Sequence, residues 1–108
     1  MLKSLLIATL AAIVTAIPAH ADKGPAGDNP EDNFLFVLHS AGITPGSHAV
    51  EGGLGLCSNI SRGVKPRSLM AEVAKLSPEL SSVQAETVVD SAVVWLCPQF
   101  IAAYLRAR

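Results

Sequence analysis

The chain has 108 residues and a formal net charge of −1; half of its residues are hydrophobic and only 16% are charged. A chain of this length is expected to form a single domain. It contains no cluster of basic residues, which argues against binding of a nucleic-acid backbone, since such binding depends on many cations that displace counterions.

The first segment, Met1–Ala21, has the pattern of a cleavable secretory signal peptide. Lys3 supplies a positive charge, Leu5–Ile17 is an uninterrupted run of apolar and small residues, and Ala19 and Ala21 are the small residues that signal peptidase recognises. The apolar run has about 13 residues, whereas a spanning helix needs roughly 20, so the pattern favours cleavage over an uncleaved anchor. We therefore predict export by the general secretory route, a secreted or cell-envelope location, and no stable membrane span after cleavage.

The predicted mature chain opens with residues 22–29, which are rich in glycine, proline and aspartate and are expected to be flexible. A first helix is predicted from Pro30, with Asn29 or Asp28 as its N-cap, because proline has no N–H group to lose at the first helical position. Gly42 is the expected stop. One face of this helix is apolar and consists of Phe34, Val37, Leu38 and Ala41.

A second helix is predicted over residues 47–62, although it contains three glycines, each of which costs about 1 kcal/mol relative to alanine. We interpret these glycines, at positions 52, 53 and 55, as allowing another helix to approach closely near Cys57. A third, shorter helix is predicted from Pro66 and is broken at Ser77 and Pro78.

The last main helix has the clearest pattern in the chain. Ser81 followed by Gln84 is a capping-box arrangement, and Cys97 and Pro98 close the helix. Between them, apolar residues recur at helical spacing at positions 85, 88, 89, 92, 93 and 96. Residues 99–108 are predicted to continue as a C-terminal helical tail.

These elements predict an all-α fold, a small bundle of four to five short helices over residues 30–98, with no segment that alternates like a strand. Both cysteines, Cys57 and Cys97, lie in the part of the chain predicted to be exported. An even cysteine count in a small exported domain favours a disulfide. Two free thiols, or a metal site that uses both cysteines, are the alternatives.

Motifs that carry catalysis are missing from the sequence. No G-x-S-x-G turn is present, and the glycines at 52–55 lack the lysine and hydroxyl residue of a phosphate-binding loop. We therefore predict that the protein is not an enzyme and has no metal site.

Four residues are the candidates for ligand binding. Phe36 is predicted to point away from the Phe34 face, where it could belong to a ligand or partner surface. His39 and His48 are the histidines that remain after signal cleavage, and with Tyr104 they are residue types that bind haem iron. The simpler interpretation is that the two histidines are ordinary surface residues. We therefore expect no cofactor, and haem binding is the alternative that stays open.

A set of spaced residues is similar to a known family pattern. It consists of Asp32-x-Phe34-Leu35, Gly42-Ile43, Gly53-x-x-x-Cys57, Gly63, Ala85, Ala92 and Cys97-Pro98. Over about residues 32–98 the chain resembles the mycobacterial domain of unknown function 732 family. The resemblance implies a small secreted helical domain with Cys57 and Cys97 bridged, and it supplies no activity. A secreted mycobacterial haem-binding protein with a similar helical fold is the one functional lead, and it assigns no ligand residues here.

We therefore expect a secreted or cell-envelope protein that acts as a non-enzymatic binding or interaction module. Its partner would be a protein or a small apolar ligand. The alternative is a carrier of haem or of another lipophilic ligand.

Overall fold

The structure is a computed structural model that describes residues 24–108, so the predicted signal peptide, residues 1–21, lies outside the described range. Five α-helices make up most of this range: α1 (Pro30–Ser40), α2 (Ala49–Ser61), α3 (Pro66–Leu76), α4 (Ser82–Ser91) and α5 (Ile101–Ala107). A π-helical turn (Ala92–Leu96) extends α4, and a 3₁₀ turn (Pro98–Phe100) leads into α5. Residues 24–108 contain no strand, only an isolated bridge, and the predicted all-α fold is confirmed.

Helix α1 begins and ends as its sequence predicts. The side-chain oxygen of Asn29 accepts hydrogen bonds from the backbone N–H groups of Glu31 (2.8 Å) and Asp32 (3.3 Å), so Asn29 is the N-cap, and Pro30 lies in the first turn. At the other end Gly42 has a φ of +82°. This left-handed conformation suits glycine because it has no Cβ, and it stops the helix.

Helix α2 starts two positions later than predicted. Ser47 and His48 lie in a turn that precedes the helix, closed by a hydrogen bond from Ala49 N to the carbonyl of Gly46 (3.2 Å). The helix ends at Ser61, one residue before the predicted end. The apolar pattern alone could not separate this turn from the first turn of the helix.

The glycines of α2 do not share one role. A Cβ on Gly53 would lie 2.5 Å from Leu96 Cδ1 and 3.0 Å from Phe34 Cζ, so this glycine does allow the close approach that we predicted. A Cβ on Gly52 or on Gly55 would meet nothing within 4 Å. Packing within the fold therefore does not explain these two glycines.

Helix α4 has the predicted capping box. Ser81 Oγ accepts from Gln84 N (3.0 Å), and Gln84 Oε1 accepts from Ser81 N (2.9 Å). The side-chain nitrogen of Gln84, Nε2, also donates to the carbonyl of Ala41 (3.1 Å). One side chain therefore both starts α4 and holds that start against the end of α1.

The core consists of two apolar clusters that meet at the π-helical turn. One contains Cys57, Leu69, Val89, Val93, Cys97 and Tyr104, and the other contains Phe34, Leu38, Ile43 and Ala92. Ala92 and Val93 are neighbours in the π-helical turn and belong to different clusters, so this turn joins them. The predicted disulfide between Cys57 and Cys97 is formed and is buried, and it ties α2 to the end of the π-helical turn.

A tight turn precedes α1, within the segment for which the sequence predicts flexibility. Gly24 and Gly27 exchange two backbone hydrogen bonds, of 2.8 and 3.1 Å. The side chain of Asn33 is fully buried and holds this turn, since its oxygen accepts from Ala26 N (2.7 Å) and its nitrogen donates to Gly27 O (3.0 Å). The turn is thus fastened to α1, and Gly24 lies against the ring of Trp95.

The predicted C-terminal tail forms α5, which is fastened to α4 by polar contacts. The hydroxyl of Tyr104, a residue that is only 4% exposed, donates to Asp90. Arg108 forms an ion pair with Glu86, and its Nε lies 3.7 Å from Asp90 Oδ1. Burial, the hydrogen bond to Asp90 and the negative charge of Asp90 all raise the pKa of Tyr104 above its ordinary value.

This raised pKa predicts a loss of stability at alkaline pH. Below about pH 10, the ordinary tyrosine pKa, the folded and the unfolded chain both hold the phenolic proton. Above it, the unfolded chain releases the proton while the folded chain keeps it, so the free energy of unfolding falls by up to about 1.4 kcal/mol per pH unit. Urea unfolding across roughly pH 8 to 11 measures this slope.

Tyr104→Phe is the control, because this is the chain's single tyrosine. The variant should show a shallower decline above about pH 10, and tyrosinate absorbance in the wild type should appear together with unfolding. Equal slopes for the two proteins would contradict the assignment.

No single helix in residues 24–108 has the length and hydropathy to cross a membrane. The segments Ser82–Leu96 and Pro98–Ala107 satisfy those criteria only as a pair, with a bend of 108° between them.

Candidate functional site

A groove of about 470 Å³ opens between α2 and α3. Its lining comes from all four of the first helices and from the loops that follow α1 and α3. The apolar and glycine residues of this lining are Phe34, Leu38, Ile43, Pro45, Gly46, Ala49, Gly52, Gly53, Gly55, Leu56, Leu69, Val73, Leu76, Leu80 and Val88. This volume lies in the range of small-molecule sites, which are concave and lined mainly by apolar groups. We call it the apolar groove.

The floor of the apolar groove is part of the core. One edge of the groove, which we call its lip, is exposed to solvent. Phe34, only 1% exposed, and Leu38 line the groove and belong to the same core cluster. Leu76, at the end of α3, also lines it and is 73% exposed. A ligand in the groove would therefore lie on a rigid floor and cover an apolar side chain that the fold itself leaves in water.

One wall of the apolar groove, which we call the glycine wall, lacks side chains because two glycines of α2 form it. Gly52 and Gly55 are on α2, line the groove, and have no atom within 4 Å of the position where a Cβ would lie. A glycine within a helix costs about 1 kcal/mol relative to alanine, and neither residue has the positive φ that would require glycine. Their visible structural effect is the absence of side chains from this wall.

Polar groups in the apolar groove are few and carry one sign of charge. The ionisable side chains of the lining are Glu72 on α3 and Glu79 in the loop that follows. Thr44, Asn59 and Ser77 complete the polar lining. No lysine, arginine or histidine is among the described lining residues.

The candidate residues from the sequence do not line the apolar groove. As predicted, Phe36 points away from the core and is 45% exposed, and His39 is exposed on the same helix. The side chain of His48 is 83% exposed, and its Nδ1 lies 2.8 Å from Glu51 Oε1. Tyr104 is buried in the core cluster that contains the disulfide. The structure thus leaves Phe36 and His39 on the exposed surface of α1, apart from His48 and Tyr104, whose ring nitrogen and hydroxyl have local partners in Glu51 and Asp90.

Within residues 24–108, no group of three or more histidine, cysteine, aspartate or glutamate side chains is arranged to hold a metal ion.

A second depression, of about 670 Å³, lies beside the start of α1 and is lined by Leu54, Trp95, Leu96 and Pro98, together with residues 28–31 around Asn29. It lacks the buried apolar floor that Phe34 and Leu38 form in the apolar groove.

Sequence reasoning assigned no residue to a groove, and it assigned Gly52 and Gly55 to helix packing instead. A signal for them was present, since a single close approach near Cys57 needs one small residue and α2 contains three glycines within four positions. The two glycines beyond the one needed for packing indicate that part of α2 borders open space.

The architecture defines a class of protein, a small all-helical domain tied by one disulfide with an apolar groove along one side. Residues 30–99, more than half of the chain, match the model of the family described as Protein of unknown function (DUF732), and the chain belongs to that family. The resemblance to the domain of unknown function 732 family, inferred from the spaced motifs, is thereby confirmed. No curated protein and no solved structure matches the chain.

Proposed function

We propose that this protein is an exported, non-enzymatic binding protein that holds a small apolar ligand in the apolar groove. The export part follows from the signal-peptide pattern of Met1–Ala21. The binding part is supported by a groove of about 470 Å³ with a mainly apolar lining. Of the sequence-based alternatives, this is the lipophilic-ligand carrier.

The observation that carries the proposal is the glycine wall. Gly52 and Gly55 weaken α2, although a Cβ at either position would meet no atom within 4 Å and neither residue has the positive φ that favours glycine. Such residues make sense if the space beside them is occupied by something other than the protein. The exposed Leu76 on the opposite side of the groove is consistent with the same occupant.

The haem alternative receives less support from the arrangement of the side chains. His39, His48 and Tyr104 lie outside the groove lining, so a ligand there would contact none of them. The proposed mechanism is accordingly apolar contact and shape, worth about 25 cal/mol for each Å² of apolar surface removed from water.

Filling the glycine wall is expected to abolish binding and leave the fold intact. In Gly55→Leu the new side chain enters the apolar groove, and helix α2 gains propensity because leucine is a better helix former than glycine. We expect affinity for a neutral apolar dye such as Nile red to fall by about tenfold or more, which corresponds to roughly 1.4 kcal/mol. Dye fluorescence measures binding, and circular dichroism measures folding.

Ser58→Leu is the matched control, since Ser58 is an exposed position on α2 outside the groove lining. It adds the same side chain to the same helix and should leave dye affinity unchanged. The proposal fails if the wild type shows no saturable binding, or if Gly55→Leu binds the dye as the wild type does.

A further inference from the structure

The charge of the apolar groove suggests the chemistry of its ligand. Glu72 and Glu79 are its only ionisable lining residues within the described chain, and both are exposed at the surface. Glu72 follows Leu69 by three positions on the face of α3 that borders the groove, and Glu79 lies in the loop after α3. The groove thus combines an apolar interior with carboxylates and no cation.

These two carboxylates have no partner within residues 24–108. The ion pairs of this range join His48 to Glu51, and Arg108 to Glu86 and Asp90. Lys75 lies between Glu72 and Glu79 in sequence, but it neither lines the groove nor forms an ion pair with either of them. Their negative charge is therefore available to a bound molecule.

We propose that the apolar groove selects a small cationic amphiphile, a molecule with one apolar chain and one ammonium-type head. This inference rests on the proposed function and names its ligand class. The chain would lie on the floor formed by Phe34 and Leu38, and the head would remain at the surface beside Glu72 and Glu79. A volume of about 470 Å³ suits a small molecule, whereas a partner helix alone is about 10 Å across and needs a longer trough.

The test compares three probes that share one alkyl chain and differ in the head: decyltrimethylammonium, decanol and decanoate. Each is used below its micelle concentration in competition with Nile red on the mature protein. We expect the cation to bind about fivefold more tightly than the anion, the ratio that two exposed carboxylates can supply. The preference should shrink as salt is added, because exposed charges are screened.

Glu72→Gln/Glu79→Gln should bring the affinities for the cation and the anion to within about twofold of each other. The matched control is Glu31→Gln/Glu51→Gln, which removes the same net charge outside the groove lining and should retain the preference. Equal affinity for all three probes in the wild type would overturn the charge inference while leaving the groove proposal in place. A preference that disappears equally in both double variants would also overturn it, since net charge would then be the cause. Absence of binding by every probe and by Nile red would instead overturn the proposed function.

Discussion

Replacing Cys57 and Cys97 together with alanine is expected to lower the free energy of unfolding by about 4 kcal/mol. The two residues are 40 positions apart in sequence, so their link removes much of the conformational freedom of the unfolded chain. The total free energy of unfolding of a domain of this size is on the order of 5 kcal/mol, so this change removes most of it. Both cysteines are buried, so the alanines also leave a small packing defect.

Urea unfolding of the double variant, followed by circular dichroism, measures the change. Ser58→Ala/Val94→Ala is a suitable control, because it places two alanines at exposed positions on the same segments. The control should unfold near the wild-type midpoint. If the cysteine-free protein does so as well, the disulfide contributes little, and the two core clusters hold the fold by packing alone.

Phe34→Ala is expected to cost about 3–5 kcal/mol, the range for truncating a buried phenylalanine. The Phe34 ring, on α1, is 1% exposed and lies within about 3 Å of the Cβ position at Gly53, so α2 packs directly on it. Removing it also opens the floor of the apolar groove. Both the denaturation midpoint and the dye affinity are therefore expected to fall.

Phe36→Ala is the internal control, since it makes the same change two residues away on the same helix. Phe36 is 45% exposed and outside the groove lining, and its loss should change stability by no more than about 0.5 kcal/mol. Comparable losses for the two variants would mean that α1 is not oriented as described. If Phe36→Ala alone reduced dye binding, the result would indicate that the ligand binds at the outer face of α1 and not in the apolar groove.

Local signals predicted the helices well because their ends depend on neighbouring residues. Asn29 and Pro30 start α1, and Ser81 with Gln84 starts α4, through hydrogen bonds within three positions of each other. The pairing of Cys57 with Cys97 could be inferred because no other cysteine is present. The π-helical turn was not predicted, since residues 85–96 read as one continuous helical stripe and the change in hydrogen bonding has no local marker.

The apolar groove could not be predicted, because it is assembled from segments far apart in the chain. Its floor comes from Phe34, its glycine wall from Gly52 and Gly55, and its lip from Leu76, and no local pattern shows that these positions meet. Sequence reasoning selected His39 and His48 for the chemistry of their side chains. A groove that acts through missing side chains has no such chemical marker; the extra glycines of α2 hint at open space, but only the arrangement of the helices shows that this space is a groove.

The disulfide also has a topological consequence. The bond between Cys57 and Cys97 closes a covalent ring that includes the end of α2, all of α3 and all of α4. A single backbone cut anywhere in this ring, for example in the 77–81 loop beside the groove, would leave one molecule rather than two fragments. Helix α4 would then be joined to α2 through the disulfide, instead of to α3 through the loop. The ring includes Leu76 and the rest of the α3 side of the groove, so a cut there leaves that side attached, whereas Phe34, Gly52 and Gly55 lie outside the ring.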